Sequence, residues 1–273
     1  MRFCANLSLL FHEHPLIERF ARARDAGFSA VELWWPSGEN LGDVERAAVG
    51  AGLDVVLVNF DAGDMRRGDR GLLSDPSRHT TFRGNVPIAL ELAERLGCTQ
   101  LNALVGVQLP GHTRDDQLAL ARDNVTWAAE QAAARGATIL IEAVNTIENG
   151  PYLLHTTEQA AAFVRSVARG NVRLQYDVYH MQRMEGNIVA TLRDHIGEIA
   201  HVQIADSPGR GEPGTGEIRF PYIFEQLEAL NYQGYVGLEY RPSSGNTEES
   251  LRWLPEPARG AAVASSSLAS IDA

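Results

Sequence analysis

The chain contains no lysine, and all 24 of its Lys and Arg residues are arginine. A Schiff-base aldolase, a pyridoxal phosphate enzyme and a nucleotide-binding P-loop each require a lysine amine. These three classes are therefore excluded. Any carbonyl chemistry in this protein must rely on another electrophile, such as a metal ion, an arginine or a histidine.

Cysteine is scarce, and the sequence has neither long apolar runs nor a net positive charge. The two cysteines, Cys4 and Cys98, are too few for a disulfide framework, and we expect both to be buried and inert. No apolar run approaches the roughly 20 residues that span a bilayer. Residues 1–8 lack the apolar stretch of a signal peptide, which predicts a cytoplasmic protein. The net charge of −11 argues against nucleic acid and anionic membranes as partners.

What the sequence does contain is an alternation of short apolar strands with amphipathic helices over most of its 273 residues. The predicted strands are Phe3–Leu7, Ala30–Trp34, Asp54–Asn59, Gln100–Leu104, Thr138–Glu142, Val172–Asp177, Ile199–Ile204 and Tyr235–Glu239. The predicted helices are Pro15–Ala26, Leu41–Ala51, Thr80–Leu96, Arg114–Arg135, Thr156–Ala168, Asn187–His195 and Pro221–Leu230, with a last short helix at Thr247–Leu254.

Eight such units in order predict an α/β fold, a single (β/α)8 TIM barrel over residues 1–255. The alternative is a doubly wound open sheet, but no Gly-x-Gly-x-x-Gly follows the first strand. Residues 256–273 are rich in Ala and Ser and have little to bury. They predict a disordered tail.

Four of the later strands end in side chains that bind divalent metals, namely Glu142, Asp177, Gln203 and Glu239. The carboxyl ends of parallel strands meet at the top of a barrel, and strand alternation turns these four side chains towards its axis. Exposed, unrelated polar residues at the rim are the alternative interpretation, but four on separate strands favour a site. Three carboxylates and an amide oxygen suit Mg²⁺ or Mn²⁺ better than Zn²⁺.

The charge of this site predicts a cationic partner for an anionic substrate. Three carboxylates around one divalent ion leave a charge of about −1. Arg210, in the loop after the seventh strand, is the first candidate to hold a substrate anion. A solvated arginine is the alternative. Arg66, Arg67 and Arg70, after the third strand, are weaker candidates.

Further polar residues stand close to the predicted ligands. His180 follows Asp177 by three residues and is a candidate to polarise a substrate oxygen, although a solvated loop histidine is the alternative. Glu185, with Arg183, is a candidate supporting residue for substrate binding. His201 lies one layer below Gln203, so we expect it to support a ligand rather than bind the metal.

Several stretches resemble the hydroxypyruvate isomerase family, which belongs to the xylose isomerase-like TIM barrels. They are FCANLSLL from Phe3, Ala62-Gly63-Asp64 followed by Gly68-Asp69-Arg70-Gly71, LNALVG from Leu101, QYDVYHMQRMEG from Gln175, HVQIAD from His201 and RGEPGTGE from Arg210. The resemblance implies that Glu142, Asp177, Gln203 and Glu239 hold the metal and that the two glutamates act as acid and base. One departure from the family pattern is Trp34-Trp35-Pro36, which bears on the choice of substrate.

The expected activity is a metal-assisted aldose–ketose isomerisation of hydroxypyruvate and tartronate semialdehyde through an ene-diolate. The alternatives are a 2-oxo-tetronate isomerase, a metal-dependent ketose 3-epimerase and a non-catalytic barrel that binds a sugar acid. The expected partner is a small 2-oxo or hydroxy acid, and a homo-oligomer is left open.

Overall fold

The strands form one closed parallel barrel in the order of the sequence, as predicted. The computed structural model describes residues 1–272, and of residues 269–272 it describes the backbone alone. The strands are β1 Arg2–Asn6, β2 Ala30–Leu33, β3 Asp54–Asn59, β4 Gln100–Asn102, β5 Thr138–Glu142, β6 Val172–Asp177, β7 Ile199–Ile204 and β8 Tyr235–Leu238.

Helices surround the barrel and cover the outer faces of its strands. They are α1 Leu16–Asp25, α2 Leu41–Ala51, α3 His79–Arg95, α4 Arg114–Ala133, α5 Thr146–Asn149, α6 Thr157–Val167, α7 Val178–Met184, α8 Ile188–His195, α9 Phe220–Ala229, α10 Thr247–Ser250 and α11 Glu256–Gly260. Three 3-10 turns lie at Met65–Arg67, Pro76–Arg78 and Ser265–Asp272. The predicted (β/α)8 barrel is therefore confirmed.

Two short helices that the sequence did not predict, α5 and α7, lie at the carboxyl ends of β5 and β6. Each begins at a polar cap: Asn145 accepts from the Glu148 backbone N–H, and Asp177 accepts from those of Tyr179 and His180. Side-chain caps of this kind satisfy backbone donors that a helix start leaves free. These helices fix the loops that surround the barrel mouth.

The inside of the barrel is polar near its carboxyl end, whereas the layer between strands and helices is apolar. Ile139 and Ile141 of β5 are fully buried in the apolar layer. Gln175 and His201 pair across β6 and β7, as do Asp177 and Gln203, after a register shift that follows Leu174. The strands therefore bring a buried set of hydrogen-bonding side chains to the axis.

The structure differs from the expected disordered tail over residues 256–268. Arg259 donates to the Ala26 carbonyl at 2.9 Å, the Val263 N–H donates to the Met1 carbonyl at 2.9 Å, and Leu268 is buried. The low apolar content of the tail hid this packing, because a few contacts against the barrel are enough to order it. Ala273, also part of the expected tail, lies outside the described residues.

Both cysteines are buried free thiols, as expected. Burial raises the pKa of Cys98 to about 12 and that of Cys4 well above its usual value, so neither is a reactive thiolate. Across residues 1–272, none of the helices is both long and apolar enough to cross a membrane.

Candidate active site

Acidic side chains converge at the carboxyl end of the barrel. Glu142 ends β5, Asp177 ends β6 and Glu239 follows β8. Donor atoms of these three carboxylates and of His180 all lie within 4.8 Å of one another, and all four residues are buried. The structure therefore brings three of the four predicted metal ligands together with the predicted histidine.

The two carboxylate oxygens of Asp177 have different surroundings: one caps a helix and the other faces the cluster. Oδ1 caps α7 by accepting from the backbone N–H groups of Tyr179, at 2.7 Å, and His180, at 3.2 Å. Oδ2 is buried and has no hydrogen-bond partner among the side chains of residues 1–268. Burying an anionic oxygen is costly unless a cation lies close to it, and Arg210 Nη2 lies 3.8 Å away without a hydrogen bond, so this atom is free to bind a metal ion.

Glu142 lies against two side-chain amides on its neighbouring strands. Its Oε2 accepts from Asn102 Nδ2 at 2.8 Å and from Gln175 Nε2 at 3.0 Å. Burial, and then the negative charges of Glu239 and Asp177, raise the pKa of Glu142 well above its usual range. This carboxyl group therefore keeps its proton to a higher pH than an exposed glutamate does.

Glu239 is held by three donors. Its Oε1 accepts from Trp34 Nε1 at 2.7 Å and from Asn6 Nδ2 at 3.2 Å, and its Oε2 accepts from Arg210 Nη2. Burial raises the pKa of Glu239 to about 8, although the guanidinium of Arg210 opposes that rise. Burial thus raises the proton affinity of two carboxyl groups in the cluster, one on β5 and one after β8.

His180 is fixed as a neutral hydrogen-bond donor. Asn145 Oδ1 accepts from the Glu148 N–H, so Asn145 Nδ2 must face His180 Nδ1, at 2.7 Å. Nδ1 is then an acceptor, and Nε2 carries the proton. Burial lowers the pKa of His180 to about 4, so the ring stays neutral at pH 7. With Nε2 protonated and 3.7 Å from Asp177 Oδ2, His180 suits a donor to a substrate oxygen better than a metal ligand.

Arg210 lies inside the site, not in solvent. Its Nη2 pairs with Glu239 and lies 3.8 Å from Asp177 Oδ2, and its guanidinium carbon is 5.3 Å from the centre of the Tyr179 ring. The loop that carries it is folded around Asp206, which accepts from the N–H groups of Gly214 at 2.9 Å and Gly216 at 2.8 Å. These contacts explain how a glycine-rich loop holds an arginine in one place.

In the fourth predicted ligand, Gln203, both the nitrogen and the oxygen of the side-chain amide form hydrogen bonds. Its Nε2 donates to Glu32 Oε1 at 2.7 Å, and its Oε1 accepts from Gln175 Nε2 at 2.6 Å. Because a carboxylate only accepts hydrogen bonds, the amide nitrogen of Gln203 must face Glu32. The amide oxygen therefore faces Gln175. An amide oxygen has two lone pairs, and the second one is left for a cation.

Glu32 is a buried acidic residue of this network that was not predicted from the sequence. It is fully buried in β2 and accepts from Asn6 Nδ2 at 2.9 Å and His201 Nε2 at 2.6 Å, besides Gln203. A Cβ at Gly237 would lie 2.4 Å from its Oε2, so glycine leaves room for it. Glu32 therefore links His201, at its Oε2, to Gln203, at its Oε1. A charged residue inside the apolar run Ala30–Leu33 was the available signal.

Glu185, predicted to assist substrate binding, faces away from the cluster. Its carboxylate accepts from the backbone N–H and the hydroxyl of Thr157, at the start of α6. Arg183 donates to the Pro208 carbonyl at 3.1 Å, not to Glu185. Glu185 stands just past the end of α7, and from there its side chain reaches α6 instead of the barrel mouth.

A small cavity of about 90 Å³ opens above the carboxylates. Among the residues that line it are Trp34, Arg70, Glu142, Tyr152, His180, Arg210, Glu239 and Arg241. A larger depression of about 420 Å³ lies at the amino ends of the strands, between Asp54 and Gln100. It is lined by none of the carboxylates whose pKa is raised, so the small cavity is the candidate active site.

Comparison with known proteins agrees with this geometry. The sequence pattern of the xylose isomerase-like TIM barrels matches residues 20–256. A hydroxypyruvate isomerase of Escherichia coli (strain K12) is 38% identical, with 93% of this chain and 98% of that protein aligned. A 2-oxo-tetronate isomerase of Cupriavidus necator is also 38% identical, over 93% and 97% of the two chains.

A solved structure from Brucella melitensis, described as an AP endonuclease of family 2, is 39% identical. It superposes with a TM-score of 0.88 over 92% of this chain and 97% of that one. The resemblance read from the sequence motifs is confirmed: this chain belongs to the xylose isomerase-like TIM barrel family and, within it, to the hydroxypyruvate isomerase family.

Proposed function

We propose that this protein is a metal-assisted isomerase that interconverts hydroxypyruvate and tartronate semialdehyde. The observation that supports the proposal is the pair of buried glutamates, Glu142 and Glu239, which line the same small cavity and have raised pKa values. The names of the relatives at 38% identity support the same reaction class.

The proposed cofactor is Mg²⁺ or Mn²⁺, held by Glu142, Asp177, Gln203 and Glu239. Two observations support this choice: Asp177 Oδ2 has no hydrogen-bond partner among the described side chains, and three carboxylates, which are hard oxygen ligands, lie together in the cluster. When bound, such an ion polarises the substrate carbonyl and stabilises negative charge on its oxygen.

The two glutamates are proposed to move the proton. One removes a proton from the hydroxymethyl carbon of hydroxypyruvate, which leaves an ene-diolate over this carbon and its neighbour. The other delivers a proton to the former ketone carbon, while the hydroxyl proton passes to the former ketone oxygen. The product, tartronate semialdehyde, has the same atoms. Amide donors on Glu142 and three donors on Glu239 hold each carboxyl group in position.

His180 and Arg210 are proposed to bind the reacting end of the substrate. His180 offers the neutral Nε2–H to a substrate oxygen, since Asn145 fixes its tautomer. Arg210 places positive charge beside Glu239 and Asp177, where the ene-diolate develops.

The size of the cavity favours a short acid over a longer sugar. Its 90 Å³ is well below the roughly 300 Å³ at which cavities for drug-sized ligands begin. The small volume supports a three-carbon acid as the first candidate, and a 2-oxo-tetronate is the second candidate because a relative of that name aligns over 93% of the chain.

The test is to offer the protein, with Mn²⁺, three substrates in separate samples: hydroxypyruvate, a 2-oxo-tetronate and a neutral hexulose. Proton NMR then follows the products. We expect the highest kcat/KM for hydroxypyruvate. Epimerisation of the hexulose, with neither acid converted, would overturn the proposal.

A further inference from the structure

Three arginines line the cavity, and they differ in whether an acidic side chain neutralises their charge. Arg210 is already paired with Glu239. Arg241 is exposed at the rim. Arg70 is half-buried and donates only to neutral oxygens: Asn149 Oδ1 at 2.7 Å, the Met65 carbonyl at 2.9 Å and the Asp69 carbonyl at 2.7 Å.

The nearest acidic neighbours do not neutralise Arg70. The carboxylate of Asp69 is turned to the Asp64 N–H, at 2.7 Å, and to Arg78, at 3.2 Å. Within residues 1–268, whose side chains the structure describes, Arg70 has no ion pair. The hydrogen bonds account for its Nε and Nη1, and Nη2 has no partner among these residues. A guanidinium with neutral partners keeps its full charge for an incoming anion.

The backbone beside Arg70 is fixed. The Gly71 N–H donates to the Ala62 carbonyl at 3.1 Å, and Gly71 forms an isolated bridge with Val105. A Cβ at Gly71 would lie 2.1 Å from the Leu104 carbonyl oxygen, so no larger residue fits there. The φ angle of Gly71, 121°, is also one that glycine adopts freely. Arg70 is therefore held at the cavity before any ligand arrives.

We infer that Arg70 binds the substrate carboxylate and selects acids over neutral ketoses. This inference rests on the proposed function and revises the expectation that Arg210 holds the carboxylate. A carboxylate on Arg210 would compete with Glu239 for the same guanidinium, whereas one on Arg70 displaces no protein anion. The substrate would then lie with its carboxylate towards Arg70 and its reacting carbons towards the two glutamates.

The test compares hydroxypyruvate with dihydroxyacetone, which has the same hydroxymethyl ketone but a CH2OH in place of the carboxylate. In Arg70→Gln, we expect kcat/KM for hydroxypyruvate to fall about 10- to 100-fold, the range for losing a charged hydrogen bond. Turnover of dihydroxyacetone should change less than about threefold, and Arg70→Lys should recover part of the loss because it restores a point charge.

Arg66→Gln, on the same loop but exposed and outside the cavity, is the matched control and should behave as wild type. Arg210→Gln should lower the turnover of both substrates alike.

A binding measurement separates this inference from the proposed function. Calorimetry with glycerate and with glycerol should show weaker glycerate binding in Arg70→Gln and unchanged glycerol binding. If wild type turns over no hydroxypyruvate while this difference holds, the proposed function fails and the role of Arg70 stands. Equal losses for charged and neutral ligands, or no loss for either, would overturn the inference.

Discussion

Replacing Asp177 by asparagine separates the structural role of this residue from its proposed metal role. Asparagine keeps an Oδ1 that can cap α7, and as a helix cap it is about as good as aspartate. The substitution changes the atom that has no partner, Oδ2, into a neutral amide. It also removes one negative charge beside Glu142 and Glu239. The metal-free variant should therefore be about as stable as wild type, or more so.

The size of the effect follows from ligand linkage. A ligand at about 100 times its Kd stabilises the folded state by about 2.7 kcal/mol. For a chain of this size, each kcal/mol shifts Tm by about 2–4 °C. Mn²⁺ should therefore raise the Tm of the wild type by about 5–11 °C, and Asp177→Asn should lose most of that shift.

The assay is calorimetric or fluorescence-monitored melting of EDTA-treated protein at pH 7.5, with and without Mn²⁺. Asp177→Ala is the contrasting variant, because it removes both oxygens and should cost about 1 kcal/mol through the lost helix cap even without metal. A wild type with no Mn²⁺ shift, or an Asp177→Asn variant with the full shift, would refute the assignment of Oδ2.

Further predictions concern the acid–base pair and His180. Glu142→Gln and Glu239→Gln should each lower kcat by at least about 10²-fold. Metal occupancy must be measured alongside, and near-normal kcat with metal bound would exclude that glutamate as a proton carrier. The buried His180 has its pKa lowered from 6.5 to about 4, so the unfolded chain binds its proton more readily. The free energy of unfolding therefore includes the full contribution of the neutral His180 ring above about pH 6.5. It decreases by up to about 3 kcal/mol as the pH falls towards 4. His180→Gln should lack this component, so the Tm of wild type should fall more steeply than that of the variant over this range. Parallel curves would contradict the neutral, buried ring.

The strand-end residues were predictable from the sequence because period-two alternation and the barrel topology fix which side chains reach the axis. Glu142, Asp177 and Glu239 meet for that reason. Contacts made by side chains from distant strands were not predictable. The link from Glu32 to His201 joins β2 and β7, and no local pattern encodes that pairing.

The positions of loop residues were less predictable from the sequence than those of strand residues. Arg210 was identified, but its pairing with Glu239 depends on how a glycine-rich loop folds around Asp206. Arg66 and Arg70 stand on the same loop, and the sequence does not show that Arg70 lines the cavity whereas Arg66 is exposed. Glu185 directly follows a short helix that the sequence did not predict, and so its contact with Thr157 was not predictable either.

The most direct test of the two-carboxylate proton transfer is isomerisation of hydroxypyruvate in D2O with Mn²⁺, followed by proton NMR, with an enzyme-free sample of tartronate semialdehyde as control. Delivery of the proton by a carboxyl group other than the one that removed it predicts deuterium from solvent at carbon 2 of the semialdehyde. A product that keeps at carbon 2 the hydrogen removed from carbon 3, with no deuterium from solvent, would contradict proton transfer through two glutamates and indicate either one base that returns the same proton or direct transfer between the carbons.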